Sequence, residues 1–408
     1  MEATKHAPSQ EPAAQRKKTL AYLALVFFIY LVSGMNVYRV VPIMTRVRSV
    51  LGVGEGLAGL LVSANTFMSL FLSIPFGIAL RRLGFRKAGL VAALLMLAGS
   101  ALGAVTTHFA LMMLSQILIG TGGALVTVIY PNFTLVLSSE KNRSTALGVV
   151  NSAQVIAQFL MYNIAPRITT DQNISPAWWL TCAACLVLLG LWIAFVRKKI
   201  APVDVTGQPA RSTARKKGPS IGQVLSDRRL VLLMVGIFCY MISAMSVLSF
   251  LPSYLQQERG MDLITASGLC SVNALVGFVS SPLCGLLADK LNSRKWIYFG
   301  LVIIMAVLRI LQVVVPSGPV YPLIIFLQGI PAGGVPLVMG AASQICKDES
   351  LQPLAVSMVS TGNMGGIAVA TLLGGAMIQA IGYNATFLFM APFTLLALLG
   401  MMTSKDIH

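Results

Sequence analysis

Charge is what this sequence has least of. Only 11% of its 408 residues are Asp, Glu, Lys or Arg, with 13 acids and three histidines, while 56% are hydrophobic. A chain of that composition is not a water-soluble globular domain. The scarcity of acids excludes more. All thirteen, Glu55 and Asp289 among them, read as tail or loop residues, and His6, His108 and His408 as tail or outside-loop residues. No carboxylate or imidazole is therefore expected mid-membrane to relay protons. No acid/base pair, nucleophile–histidine pair or metal cluster suggests itself, so neither an enzyme nor a bound metal or cofactor is expected. Of six cysteines, Cys182 and Cys185 form a CxxC, but in an apolar run without His or acid company they read as small packing residues.

Long apolar runs fill the space that charge leaves. A membrane-spanning helix needs about 20 mostly apolar residues, and twelve such runs fit between residues 19 and 402. The expected fold is an all-α membrane protein with twelve transmembrane helices in two pseudo-symmetric six-helix bundles. The boundaries are a tail at 1–18, a first bundle at 19–196, a linker at 197–228, a second bundle at 229–402 and a tail at 403–408. Residues 1–18 carry no signal-peptide pattern, and the first run reads as a retained helix. The formal charge of +17 is distributed one-sidedly: with the N-terminus inside, 24 of the 30 Lys and Arg fall in cytoplasmic segments. That asymmetry is the positive-inside rule. It places both termini in the cytoplasm of a multi-pass cell-membrane protein, and it explains the charge without nucleic acid. A monomer in the lipid bilayer is expected.

The two bundles share a sequence. Phe28, Tyr30, Ser33, Met35, Val37 and Pro42 recur 210 residues later as Phe238, Tyr240, Ser243, Met245, Val247 and Pro252, whereas Asn36 becomes Ser246 and Arg39 becomes Ser249. Arg39 is thus where the halves stop being equivalent. A second repeat follows the second span, as Gly77-Ile-Ala-Leu-Arg81-Arg82-Leu-Gly84-Phe-Arg86-Lys87, and the eighth, as Gly285-Leu-Leu-Ala-Asp289-Lys290-Leu-Asn292-Ser-Arg294-Lys295.

With that motif in both halves of a twelve-span chain, the sequence resembles the major facilitator superfamily. The resemblance implies two bundles rocking around a central site, with every third span outside. It implies a conformational gating role for Gly77, Arg82, Arg86, Gly285, Asp289 and Arg294. Arg81 stands where the family has an acid that helps lock the cytoplasmic side; Asp348 and Glu349 are candidate substitute partners. The fifth span also lacks the Gly-Pro motif of the family's drug:proton antiporters.

Polar residues inside spans mark candidate cavity walls, because they are costly against lipid. Asn151, Gln154, Gln158 and Tyr162 share one face of the fifth span, and Asn363 lies on the eleventh at the position equivalent to Gln154. Asn65, Gln116, Asn273 and Gln328 either line the cavity or bond between helices. Arg39 lies one turn beyond Asn36, and its guanidinium suits an oxyanion; alternatively it snorkels to the outer headgroups. The ninth span departs from the peripheral pattern, because it carries Arg309 and Gln312. The expected substrate-binding set is Arg39, Asn36, Asn151, Gln154, Gln158 and Asn363. The expected function is secondary active or facilitative transport of a small organic anion, a monocarboxylate by its charge. The alternatives are an exporter of neutral or amphipathic compounds and a non-transporting membrane sensor.

Overall fold

The computed structural model describes residues 13–137, 143–196, 227–291, 293–345 and 352–403. The expected linker at 197–228 and the candidate partners Asp348 and Glu349 lie almost wholly outside these residues. The first half comprises α1 (Ala13–Tyr38), a 3-10 turn (Val41–Ile43), α2 (Met44–Leu51), α3 (Glu55–Val105), α4 (Phe109–Leu137), α5 (Arg143–Ile168) and α6 (Ser175–Phe195). The second comprises α7 (Arg228–Leu248), α8 (Leu251–Gln257), α9 (Leu263–Leu291), α10 (Arg294–Val314), α11 (Tyr321–Leu327), a 3-10 turn (Ile330–Gly333), α12 (Gly334–Ile345), α13 (Gln352–Leu395) and α14 (Leu398–Thr403).

Twelve spans result. Among the described residues ten helical stretches are long and apolar enough to cross a membrane, and one of them, Ala355–Met402, holds two spans because the chain turns back at Gly382. The twelfth is α5, whose Asn151, Gln154, Gln158 and Asn163 make it less apolar. Gly382 (φ 80°) and Gly84 (φ 70°), which turns α3 back in the same way, occupy a backbone region that a side chain would disfavour. The duplicated stretch behaves alike in both halves. The first span breaks before Pro42 and restarts as α2; the seventh breaks after Ser249 and restarts as α8, with Pro252 in its first turn. Proline lacks the N–H that a continuous helix requires.

The halves meet tightly at the end of the bundle away from the termini. Ser63 of α3 bonds Thr371 of α13, and the Gly56 N–H donates to Gln379 Oε1 at 3.1 Å. Thr45 donates to Gln256 at 3.0 Å, and Ser267 to the Pro42 carbonyl at 3.1 Å. Glycine permits this approach: a Cβ on Gly59 would lie 2.3 Å from the Thr371 carbonyl oxygen, and one on Gly375 2.5 Å from that of Glu55. Gly375→Val is therefore expected to push the halves apart, at about 1–3 kcal/mol for overpacking. In a background without native cysteines, it should speed labelling of Ser63→Cys by an impermeant thiol reagent at least several-fold. Unchanged labelling would show that the seam yields elsewhere.

Candidate functional site

Toward the end that carries the termini the halves separate around a cavity of about 760 Å³. Its polar wall is drawn from five elements: Asn151 and Gln158 of α5, Tyr240 of α7, Asn273 of α9, Arg309 of α10, and Gln328 just after α11. The tenth span breaks at this depth. Pro331 interrupts the helix, and a Cβ on Gly329 would fall 2.5 Å from the Asn273 carbonyl oxygen, so only glycine fits where this break packs on α9. The carbonyls released there are taken up by side chains. Tyr240 donates its hydroxyl to Pro331, Asn273 its amide to Ile325 at 2.8 Å, and Ser280 its hydroxyl to Gly329 at 3.3 Å. A discontinuous helix beside a buried cavity is where membrane carriers place their ligand sites.

Arg309 is the charged member of this wall. It is only 5% exposed, and its Nε and Nη1 have no hydrogen-bond partner. One turn on, Gln312 accepts from Gln328 Nε2 at 2.5 Å and leaves its own Nε2 unpartnered. No acid lines the cavity among the described residues. The C-terminal wall thus holds a positive charge, backed by buried N–H groups of Arg309 and Gln312 that have no partner, an arrangement complementary to an oxyanion.

The expected binding set divides in two. Asn151 and Gln158 line the cavity opposite Arg309, as the face they share requires. Asn36 and Arg39 do not: they turn into the first half, between α1, the second stretch of α3, and α6. Arg39 is fully buried; its Nη1 donates to Thr181 at 2.6 Å, Asn36 at 3.1 Å and Ser100 at 3.3 Å, and its guanidinium lies 4.6 Å from the centre of the Trp178 ring. Asn36 donates to the Val32 carbonyl at 2.9 Å and to Cys185 Sγ at 3.6 Å. These acceptors, of which Ser100, Thr181 and Cys185 are remote in sequence, hold both side chains within the first half and away from the cavity. Gln154 likewise turns aside, donating to the Tyr30 carbonyl at 3.2 Å. Asn363 is buried on α13 and its Oδ1 lacks a partner, but it is not in the cavity wall. Of the paired amides, Asn273 and Gln328 line the cavity, whereas Asn65 and Gln116 are buried outside it.

Among the residues of the repeated motif, Gly285 reaches the cavity wall. Gly77 lies apart from neighbouring side chains, Arg82 is exposed, and the Arg86 carbonyl accepts from Trp192 Nε1 at 3.0 Å. Arg294 lies over Gly340 of α12, where a Cβ would come within 2.7 Å of its Nη1. The side chains of Arg81 and Asp289 lie outside the described residues. Two residues read differently in sequence prove central. Arg309 reaches the cavity from a span expected to be peripheral; the signal was the spacing of Tyr298, Met305, Arg309 and Gln312 along one buried face. Glu55, assigned to a loop, instead opens α3 and is buried.

Two six-helix halves around a largely apolar cavity with a few polar side chains in its wall, one span of which breaks at that wall, define a membrane transport protein. The chain belongs to the Major Facilitator Superfamily, whose profile matches residues 26–321; it is a transporter, not an enzyme. It is 23% identical over 307 residues to the "Probable galactarate/D-glucarate transporter GudP" of Bacillus subtilis (strain 168), covering 68% of this chain and 67% of that one. It is 24% identical over 173 residues to the protein of the same name in Escherichia coli (strain K12), and 27% over 225 residues to the "Inner membrane transport protein YajR" of that strain. Those two alignments cover 38% and 54% of this chain, and 38% and 47% of the relatives. The fold matches that of a bacterial homologue of the human lysosomal transporter Spinster. In its inward-facing occupied form the TM-score is 0.79 at 11% identity, and in the unoccupied form 0.78 at 12%, with 98% of each chain covered.

Proposed function

We propose that this transporter carries a small organic anion, a monocarboxylate, across the cell membrane by alternating access, with both termini in the cytoplasm. The observation that carries the reading is Arg309: a buried guanidinium in the cavity wall, with two unpartnered N–H groups and no acid among the described residues of that wall. One such cation balances one carboxylate, and Asn151, Gln158 and Gln328 offer amides to the rest of the molecule. The segregation of basic residues supports the orientation, and the names of the sugar-acid relatives agree with an anionic substrate. The role first expected of Arg39 passes to Arg309.

The reading is tested by uptake into proteoliposomes of a labelled sugar monocarboxylate, the matching dicarboxylate and the neutral polyol. The monocarboxylate should be carried fastest and the polyol at background. Equal uptake of the polyol would overturn the anion reading in favour of an exporter of neutral compounds. Preference for the dicarboxylate would overturn the single-charge argument. Binding without uptake of any of the three would point to a sensor.

A further inference from the structure

The seam that closes the far side contains a carboxylate. Glu55 begins α3 and is 5% exposed. Its Oε1 accepts from two donors, Arg48 Nη1 of α2 and the Tyr383 hydroxyl of α13, which belong to opposite halves. Its Oε2 is buried and has no partner. The Glu55 carbonyl meets Gly375 of the other half, so the residue cannot shift without parting the seam. The titratable groups facing the carboxyl are Arg48 from α2 and Tyr383 from α13. Behind Tyr383 stands Tyr254 of α8, with ring centres 6.1 Å apart, and Tyr254 in turn accepts from Arg259 Nε at 3.0 Å.

We propose that Glu55 is a proton-binding site that governs this seam: protonated, it holds the far side shut, and its ionisation favours opening. The inference rests on the alternating-access reading but not on the identity of the substrate. Arg48 belongs to the same half as Glu55 and accompanies it whether the seam is open or closed, so that attraction largely cancels. Tyr383 and water are what change. On closing, the ionised carboxylate exchanges its hydration for one hydroxyl and leaves Oε2 bare, a poor exchange for a charge. The neutral carboxyl loses far less on burial. The closed form therefore holds the proton more tightly than the open form, and by linkage each proton bound favours closure. Closure is complete below the open-form pKa and weakens as pH rises toward the closed-form pKa.

The test reads the seam without substrate. Ser63→Cys, in a background without native cysteines, is labelled from the far side across a pH series, each rate divided by that of an exposed control cysteine. Labelling should rise about tenfold per pH unit between the two pKa values and then level off; in Glu55→Gln it should stay flat at the low-pH rate. Tyr383→Phe, which removes the donor to the ionised form, should move the plateau to higher pH and provides a second reading if Glu55→Gln folds poorly. An identical pH response in Glu55→Gln, a fall in labelling with rising pH, or no shift in Tyr383→Phe would overturn the proposal. If Gly375→Val also leaves Ser63→Cys unlabelled at every pH, the seam does not open at all, and the alternating-access reading falls with it.

Discussion

Replacing Arg309 with glutamine is expected to weaken binding of the anionic substrate about 10- to 100-fold and to leave thermal stability unchanged or slightly raised. A hydrogen bond to a charged group contributes roughly 1.5–3 kcal/mol, which sets the range. Glutamine keeps one donor and part of the length but loses the charge and the fork. Stability should not suffer, because among the described residues the guanidinium stands buried without a counter-ion and without a hydrogen-bond partner at Nε and Nη1, and an uncompensated buried charge stabilises nothing. Arg309→Lys should fall between the two, since it restores charge without planar geometry. Thermal-shift titration against matched anionic and neutral compounds reads both quantities, because ligand raises stability as ln(1 + [L]/Kd). Unaltered affinity in Arg309→Gln would remove this residue from the substrate path.

Arg39→Ala is expected to do the opposite, lowering stability by about 2–5 kcal/mol, the range for emptying a large buried side chain, while substrate affinity changes less than twofold. Arg39 is fully enclosed and stacked on Trp178, and although its Nε and Nη2 have no partner, its Nη1 bonds side chains of three helices. Truncation leaves a void, strips a cation–π contact and removes the charged donor shared by the Asn36, Ser100 and Thr181 oxygens, which keep only the weaker bonds among themselves and to the Trp178 carbonyl. Denaturant unfolding in detergent measures the first quantity and the titration above the second. Lost affinity in a protein of normal stability would return Arg39 to the cavity.

These two arginines show where reading the sequence stops. The duplication and the twelve spans follow from periodicity and run length, both of which are local; the breaks near Pro42 and Pro252 fall inside apolar runs that read as continuous. The rotation of a helix about its axis is not local. At about 100° per residue, Asn151 and Gln158 lie within about 20° of each other, and both enter the cavity. Gln154 sits about 60° away and meets α1 instead. Arg39 and Asn36 share a face correctly, but the partners that claim them, Ser100 and Thr181, lie 61 and 142 residues from Arg39. Nothing near Arg39 announces them. Arg309 escaped because a peripheral span was expected to keep its side chains out of the centre, whereas an arginine stem is long enough to reach past its own helix. Glu55 sits at the junction of a short loop and a span, where composition does not say which of the two owns the residue.

A lone guanidinium in the cavity wall also has an electrical consequence. When the barrier moves from one side of the site to the other, the membrane potential falls across a different layer of protein, and any net charge in the cavity crosses that drop. With a monoanion bound beside Arg309 the net charge is zero, and the loaded step feels no voltage. The empty return carries one positive charge, at about 2.3 kcal/mol per 100 mV for the full drop. On this reading, voltage acts on how quickly the unloaded carrier resets rather than on the passage of its cargo.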